Sequence, residues 1–566
     1  MEYSFASRDG HAEDLDALFN ADMLAFDVEA SGTHTYADVP LGFSVTDGPD
    51  HSYFAHIDNA YFRELMANPN TLYIAHNAKY DRSKMKQAGI VIDNLCDTMI
   101  AAHLCEEPRL SLHELVERKL NRSIKTFGDY PKPVATSTTR ELVDHFGSHA
   151  RATWILWNGF QDEDVNWPGY KYELRRRILW DTFWKLEMPL IPVISDMEMN
   201  GVQIDADYLL ELGKYYNAKI SLLEDVLANM TNTKGVNFNS PDQVAHIFYD
   251  KLGIKPPWRK TRSKRPAVDG KYLESIKNTH PVIPVYLLYK QYQKLKSTYV
   301  SSIVSALVNG RLYGSFNQTG TRTGRLSSSG PNLQNIPQRE EEGRKIRRAF
   351  VAPEGCYLVK ADADQLELKM MAHWSQDPYM LNAFRSGRDI HLETALRAFG
   401  DPKMRPKAKT LNFQIQYGGG TQADKDAFYG AYPIVLQWTK KTQQEAKELG
   451  YVRTLFKRKR SIPEIREPGK MGEHGEREAI STIIQGSSAE VVKVGMRRIW
   501  EDVRDSEIKM VLQVHDELVF ECPESIVYDF MDHLKKRLQY DELSIPITYS
   551  VSYGRNWAEM EKWKPN

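Results

Sequence analysis

The sequence predicts a multidomain chain of the α/β and α+β classes. Three observations carry that expectation. Its 566 residues exceed a typical domain of ~150 residues several times over. The first part mixes strand and helix patterns, whereas residues 190–310 read as mostly helical. Beyond residue 311, two strand-like stretches containing aspartates flank a long helical region.

Composition narrows the function classes. With 42% hydrophobic and 26% charged residues the chain is not predominantly disordered. Lys and Arg number 74 against 75 Asp and Glu, so it is not a uniformly basic protein held to nucleic acid by overall charge. The four cysteines, Cys96, Cys105, Cys356 and Cys522, form no C-x2-C pair. That argues against a disulfide framework or zinc ribbon and for a reducing compartment. The start, MEYSFASRDG, lacks an apolar h-region, and no apolar run is long enough to span a bilayer.

In chain order, MLAFDVEAS (Met23 to Ser31) predicts a buried strand, and TLYIAHNAKYD (Thr71 to Asp81) a second strand entering a helix. A helix is expected from Thr139 to Trp157, followed by the polar break QDEDVNWPGY. A further helix from Glu173 to Met199 should be interrupted near Pro189 and Pro192. Apolar spacing predicts helices in LLELGKYYNAKISLLEDVLANM and from Leu288 to Leu307. CYLVKAD (Cys356 to Asp362) reads as a strand, residues 375–500 as helical, and KMVLQVHDELVFEC (Lys509 to Cys522) as two strands meeting at a polar turn.

Asp362 at a strand end and Asp516 at a turn can meet at one rim of a sheet. Two such carboxylates suit a pair of divalent cations about 3.5–4 Å apart, an arrangement that serves phosphoryl transfer. Mg²⁺ is the natural ion, since it prefers oxygen ligands and substrate phosphates. A turn aspartate alone is usually only a turn residue. RPKAKTLNFQIQYGGG strengthens the functional reading. Arg405, Lys409, Phe413 and Tyr417 recur every four residues and share one helical face. Two cations suit a triphosphate, and two aromatics suit a sugar and base. The bland alternative is an amphipathic helix with a basic first turn. Arg405 precedes Pro406, which biases it away from helical angles and toward a cap.

TGRLSSSGPNLQNIP (Thr323 to Pro337), DADQLEL (Asp362 to Leu368), RDIHLETA (Arg388 to Ala395), RPKAKTLNFQIQYG (Arg405 to Gly418) and VHDE (Val514 to Glu517) occur in this order. Together they resemble motifs of the family A DNA polymerases, the bacterial DNA polymerase I and bacteriophage type. The resemblance implies an RNase H-like 3′–5′ exonuclease domain at 1–185 followed by a right-hand polymerase. Its thumb would lie at 186–310, its palm at 311–400 and 501–566, and its fingers at 401–500. It implies that Asp362 and Asp516 carry two Mg²⁺, with Glu517 beside them. Glu367 would exclude a 2′-hydroxyl. His391, Arg405 and Lys409 would contact the triphosphate, and Phe413 and Tyr417 the sugar and base. Arg325, Gln485 and His515 would meet the primer terminus or its minor groove, and Asn332, Gln334, Asn335 and Arg477 the duplex. Where the bacterial enzymes have asparagine, four residues before Gln485, this chain has Ser481.

Asp27 and Glu29 are two apart in a strand, so both face one side. Two acids on an otherwise apolar strand are costly unless they bind something. With Asp81 they could make a second metal site. FDVEASG and HNAKYD, which includes Asn77, resemble the exonuclease motifs fused to this family. The third motif departs. Its Y-x3-D pattern falls on HFGSH, putting His145 at the tyrosine position and His149 at the aspartate position. Asp144 lies on a different helical face from His149. Imidazole replaces carboxylate poorly toward Mg²⁺. The expectation is weakened proofreading, the alternative a softer metal such as Mn²⁺ or another acid.

The implied partners are primer–template DNA and dNTPs, with no membrane. Basic tracks at Lys255 to Arg265, Arg344 to Arg348 and Phe456 to Arg460 are candidates for phosphate contacts. The chain is expected to be a monomer without the thumb insertion that recruits a thioredoxin-type processivity factor. The short stretch before the exonuclease motif points to a phage enzyme, in the cytoplasm of an infected host, or to a truncated chain. Rival readings are a nuclease whose C-terminal half only binds DNA, a non-catalytic clamp and a single-subunit RNA polymerase. Altered His149 weighs against the first, the palm acids against the second, and Glu367 with Phe413 and Tyr417 against the third.

Overall fold

The computed structural model describes residues 17–32, 34, 36–124, 139–162, 164–258, 266–338, 340–416 and 418–564, with backbone only at 139–145. Tyr417, most of the 255–265 basic track and the side chains of Asp144 and His145 lie outside the described residues.

The first part is built on a five-stranded mixed sheet. Its strands are β1 (Met23–Ala30), β2 (Pro40–Thr46), β3 (Tyr53–His56), β4 (Leu72–Ala75) and β5 (Leu95–Asp97), in spatial order β3-β2-β1-β4-β5. β1 runs antiparallel to β2 and parallel to β4. Helix α1 (Ala78–Gln87) follows β4 as expected, and α2 (Thr139–Asn158) packs across β1 and β2. Central β1 is buried on both faces, so its apolar residues run almost continuously and its two acids stand out. β2 and β3 are not visible in the sequence pattern, because β2 is interrupted by glycine and serine and β3 is only four residues long.

The expected interruption near Pro189 is present, between Glu187 and Leu190, but the segment is also broken further upstream. The helix over Tyr170–Arg176 ends earlier, a π-helical turn covers Thr182–Glu187, and a new helix spans Leu190–Asn200. Pro192 lies in its first turn, where a missing N–H breaks no internal bond. A 26-residue helix, Ala206–Thr231, and the helix Val282–Lys294 pack together.

The second large sheet is fully antiparallel. It comprises β6 (Cys356–Ala363), β7 (Lys509–Val514), β8 (Glu517–Pro523), β9 (Tyr549–Gly554) and β10 (Glu561–Lys562), ordered β7-β8-β6-β9-β10. Register sets Asp362 opposite Glu517 on one side and Ser550 on the other. Helix α3 (Arg405–Gln416) and the long α4 (Lys470–Val503) stand beside this sheet. The region 375–500 also contains a hairpin, Tyr451–Arg453 with Lys459–Ser461, which the helical expectation missed.

Buried apolar side chains form one cluster from Leu18 to Ile191, another from Ile220 to Tyr289, and a large one joining Leu190–Tyr216 to the second sheet. The base of the predicted thumb therefore shares its core with the sheet that carries Asp362. Among the described residues, no helix is long and apolar enough to cross a membrane.

Candidate nucleotide and metal sites

Asp362, near the end of β6, and Asp516, in the turn between β7 and β8, border a single cavity of about 670 Å³. The Ala363 N–H donates to the Asp516 carbonyl at 3.2 Å, which ties the two strand ends together. Burial and then the neighbouring Asp516 charge push the Asp362 carboxyl up to about 7. Burial also raises Asp516. These two half-buried acids, with Glu367 and Glu517 adding to the negative charge around them and Lys360 and Arg325 only partly offsetting it, are an oxygen donor set with raised proton affinity. Hard oxygen donors of this kind fit a divalent cation such as Mg²⁺.

Glu517 borders a neighbouring cavity that also reaches Asp362, Asp516 and His515. Its carboxylate accepts the Trp557 indole N–H at 2.6 Å and lies 3.4 Å from the Lys360 ammonium. Asp364, unnoticed in the sequence, is engaged by the Thr548 and Ser550 hydroxyls at 2.9 and 2.6 Å. It lies in the turn just after β6, and its partners are 184 and 186 residues away along the chain, so local pattern does not reveal the engagement.

Across the first cavity stands α3. Ala408, Leu411, Asn412 and Ile415 face inward, leaving Arg405, Lys409 and Phe413 exposed on one face. Arg405 has φ −48° and ψ −42°, so the expectation that Pro406 would push it out of the helix is overturned. A preceding 3-10 turn, Pro402–Met404, already sets those angles. Arg405 donates to Asp389 at 2.6 Å, and Asp389 also caps the Ile390–Phe399 helix. His391 is buried, bonds Asn412 at 3.0 Å, and lies 6.0 Å from the Phe413 ring centre. No carboxylate pairs with Lys409 among the described residues.

Arg325 and Glu367 form an ion pair within the same cavity. Gly324, with φ +85°, lets the loop lie against Arg458, since a Cβ there would stand 2.5 Å from Arg458 Nε. His515 lines both cavities. Gln334 is buried and donates to the Gln513 side chain at 2.7 Å, and Gln513 in turn donates to the His515 carbonyl. Asn335 lines the second cavity, and its carbonyl accepts from Tyr299 at 2.8 Å. Asn332, Arg477 and Gln485 line neither cavity. Asn332 caps a short turn, and the Arg477 stem packs on Gly418, where a Cβ would stand 2.6 Å away. Gln485 and Ser481 are half-buried on α4.

Two basic tracks are partly structural. Arg347 is buried 3.8 Å above the Trp557 ring, whereas Arg344 and Arg348 are exposed. Arg458 is also buried. It shares Glu187 with Lys493, whose ammonium lies 2.6 Å from that carboxylate, and Gln318 donates to it at 2.8 Å. Against burial, which would raise it, the Lys493 and Arg458 charges hold the Glu187 carboxyl below its ordinary range. A charge run in a sequence does not distinguish such a knot from a solvated face.

A separate cavity of about 500 Å³ is bordered by Asp27, Glu29, Asn77, Asp81 and His149. Burial, then the Asp27 charge, pushes the Glu29 carboxyl up to about 10. Burial, again followed by Asp27, raises Asp81, which accepts the Val28 N–H at 3.1 Å. His149 Nδ1 stands 3.1 Å from an Asp27 oxygen. Ligand atoms of Asp27, Glu29 and His149 all lie within 4.8 Å of one another, a donor set that fits a cation. Asn77 adopts φ 71°, and its N–H donates to Asp97 at 3.2 Å. Asp97 also accepts from Ala78 and caps the Thr98–Leu104 helix, so one buried acid fixes two segments. The sequence hid this role, because Asp97 reads as an ordinary cap.

Comparison with known proteins finds two family matches along the chain. A model of DNA polymerase family A matches residues 206–559, and a 3′–5′ exonuclease model matches residues 6–133. DNA polymerase I of Chloroflexus aurantiacus is 33% identical over 97% of this chain and 62% of its own length. The thermostable DNA polymerase I of Thermus aquaticus is 36% identical over 69% of this chain and 50% of its own. This chain thus spans between half and two thirds of those relatives. The POL domain of Pol1 from M. smegmatis, solved in complex with DNA primer-template and dNTP, aligns with a TM-score of 0.85 at 26% identity. That alignment covers 97% of this chain and 98% of the other. The chain belongs to DNA polymerase family A, with a 3′–5′ exonuclease domain ahead of its polymerase domain.

Proposed function

We propose that this chain is a DNA-templated DNA polymerase that extends a primer 3′ end with dNTPs. One observation carries the reading: Asp362 and Asp516 come from separate segments to the rim of a cavity whose far wall is the exposed face of α3. In this reading Asp362 and Asp516 hold two Mg²⁺, which when bound neutralise phosphate charge and activate the primer 3′-oxygen. Lys409, Arg405 and His391 orient the triphosphate. Phe413, with Tyr417, shapes the sugar and base pocket, and Glu367 excludes a 2′-hydroxyl. The duplex lies over His515, Gln334 and Asn335, with Arg325, Asn332, Arg477 and Gln485 along its path. Positioning and fixed charge supply most of such catalysis. The separate core clusters support setting the exonuclease domain (Leu18 to Ile191) and the outer thumb (Ile220 to Tyr289) apart, whereas the thumb base, palm and fingers share one core, and the boundaries expected from sequence are part of the proposal. Primer extension with dNTPs against NTPs tests the reading. Extension with dNTPs alone is expected, and incorporation of NTPs at equal rate would overturn it.

Phe413 lacks a hydroxyl near the sugar 3′ position. The chain should therefore discriminate against dideoxynucleotides, and Phe413→Tyr should relax that discrimination by ~10-fold or more, about 1.4 kcal/mol. Chain-termination ratios measure it, and equal termination by both proteins would remove the role from Phe413.

The exonuclease domain is proposed to remove 3′ ends weakly with Mg²⁺, because His149 occupies the place of a carboxylate. Slow degradation of single-stranded 3′ ends is expected. Rapid digestion in Mg²⁺ that Asp27→Ala abolishes would refute this.

A further inference from the structure

The geometry points to a mixed nitrogen–oxygen metal site in the exonuclease domain, with His149 as a ligand, that selects a transition-metal dication over Mg²⁺. The inference rests on the exonuclease reading of this cavity and names the ion it takes.

Three features support it. First, Asp27 and Glu29 project from one side of β1, and His149 reaches them from α2. His149 Nδ1 stands 3.1 Å from an Asp27 oxygen, and one ligand atom from each of Asp27, Glu29 and His149 lies within 4.8 Å of the others. One cation can touch all three after small rotations. Second, Glu29 is only 4% exposed, and no cation or N–H donor to its carboxylate occurs among the described residues. The charged neighbours acting on it, Asp27 and Asp81, are acids. Third, the cavity is large enough for an ion with attached water or phosphate oxygens, at about 500 Å³.

Ligand chemistry then sets the preference. Mg²⁺ demands oxygen donors in near-octahedral geometry and loses water reluctantly. Imidazole favours ions later in the first-row series, and affinity rises from Mn²⁺ toward Cu²⁺. Replacing one carboxylate by imidazole also removes one negative charge, which costs Mg²⁺ the most because its binding is almost purely electrostatic. The competing account is that His149 merely hydrogen-bonds Asp27 and takes no metal.

Mn²⁺ is the probe. The full chain carrying Asp362→Asn and Asp516→Asn silences the palm acids, and bound Mn²⁺ is followed by electron paramagnetic resonance. Spin-echo modulation from an imidazole nitrogen is expected. It should vanish in His149→Asp and His149→Gln, with thermal unfolding confirming that both variants fold. Mg²⁺ competition should show the Mn²⁺ preference falling by ~10-fold or more in His149→Asp. Bound Mn²⁺ without nitrogen modulation, modulation that survives in both variants, or a preference unchanged by His149→Asp would each overturn the inference. Mn²⁺ binding that Asp27→Ala leaves untouched would do the same. Whether 3′ ends are degraded is a separate measurement, so loss of the nuclease reading would not be mistaken for loss of the metal site.

Discussion

Asp362→Asn and Asp516→Asn are each expected to abolish primer extension while duplex binding stays nearly unchanged. Asparagine keeps the size and one oxygen of the side chain but removes its charge. If these carboxylates hold the cations, the loss should reach at least ~10³-fold in rate, about 4 kcal/mol at the barrier. Stability should move the other way. Burial and Asp516 hold the Asp362 carboxyl near 7, so neutralising one acid relieves a like-charge contact. The thermal midpoint should therefore hold steady or rise. Single-turnover extension, a DNA-binding titration and a melting curve separate these outcomes. Unchanged extension would refute the metal assignment, and a lowered midpoint would mean that unfolding explains the loss.

Glu187→Leu is expected to be the most damaging substitution away from either site. It leaves Arg458 and Lys493, both buried, without their shared carboxylate. Removing one partner from a buried ionic group costs about 3–5 kcal/mol, mainly because the remaining charges stay desolvated. The chain has several domains, so the loss should appear as a lower first unfolding transition rather than a uniform shift. Hydrogen exchange should quicken in the 454–461 segment, where Phe456 N–H and the Thr454 hydroxyl bond Glu490. An unchanged melting profile would mean that water or Glu490 compensates fully.

Much of the palm was legible because its chemistry lies in contiguous residues. A strand pattern placed Asp362, a polar turn placed Asp516, and four-residue spacing put Arg405, Lys409 and Phe413 on one face, where the structure has them. Other features depend on pairing across the chain, which local periodicity cannot encode. Gln513 linking Gln334 to His515, Asp97 tying Asn77 to a helix start, and Arg325 closing on Glu367 are of this kind. Basic runs misled for the same reason. Arg347 and Arg458 read as phosphate contacts but are enclosed by Trp557 and Glu187. The short strands β2 and β3 left too weak an alternation to be seen.

The Glu187 knot also bears on how the protein can be shortened. Thr182, whose hydroxyl bonds the Phe456 carbonyl, and Glu187 belong to the turn that leads out of the exonuclease domain, yet their partners are on the fingers hairpin and α4. A recombinant fragment beginning a few residues after Glu187 would leave Arg458 and Lys493, behind the Gly324 loop, with Glu490 alone to balance them and should be less stable. A fragment that retains the whole Thr182–Glu187 turn keeps that seam closed, so the practical cut point for a nuclease-free version lies upstream of Thr182.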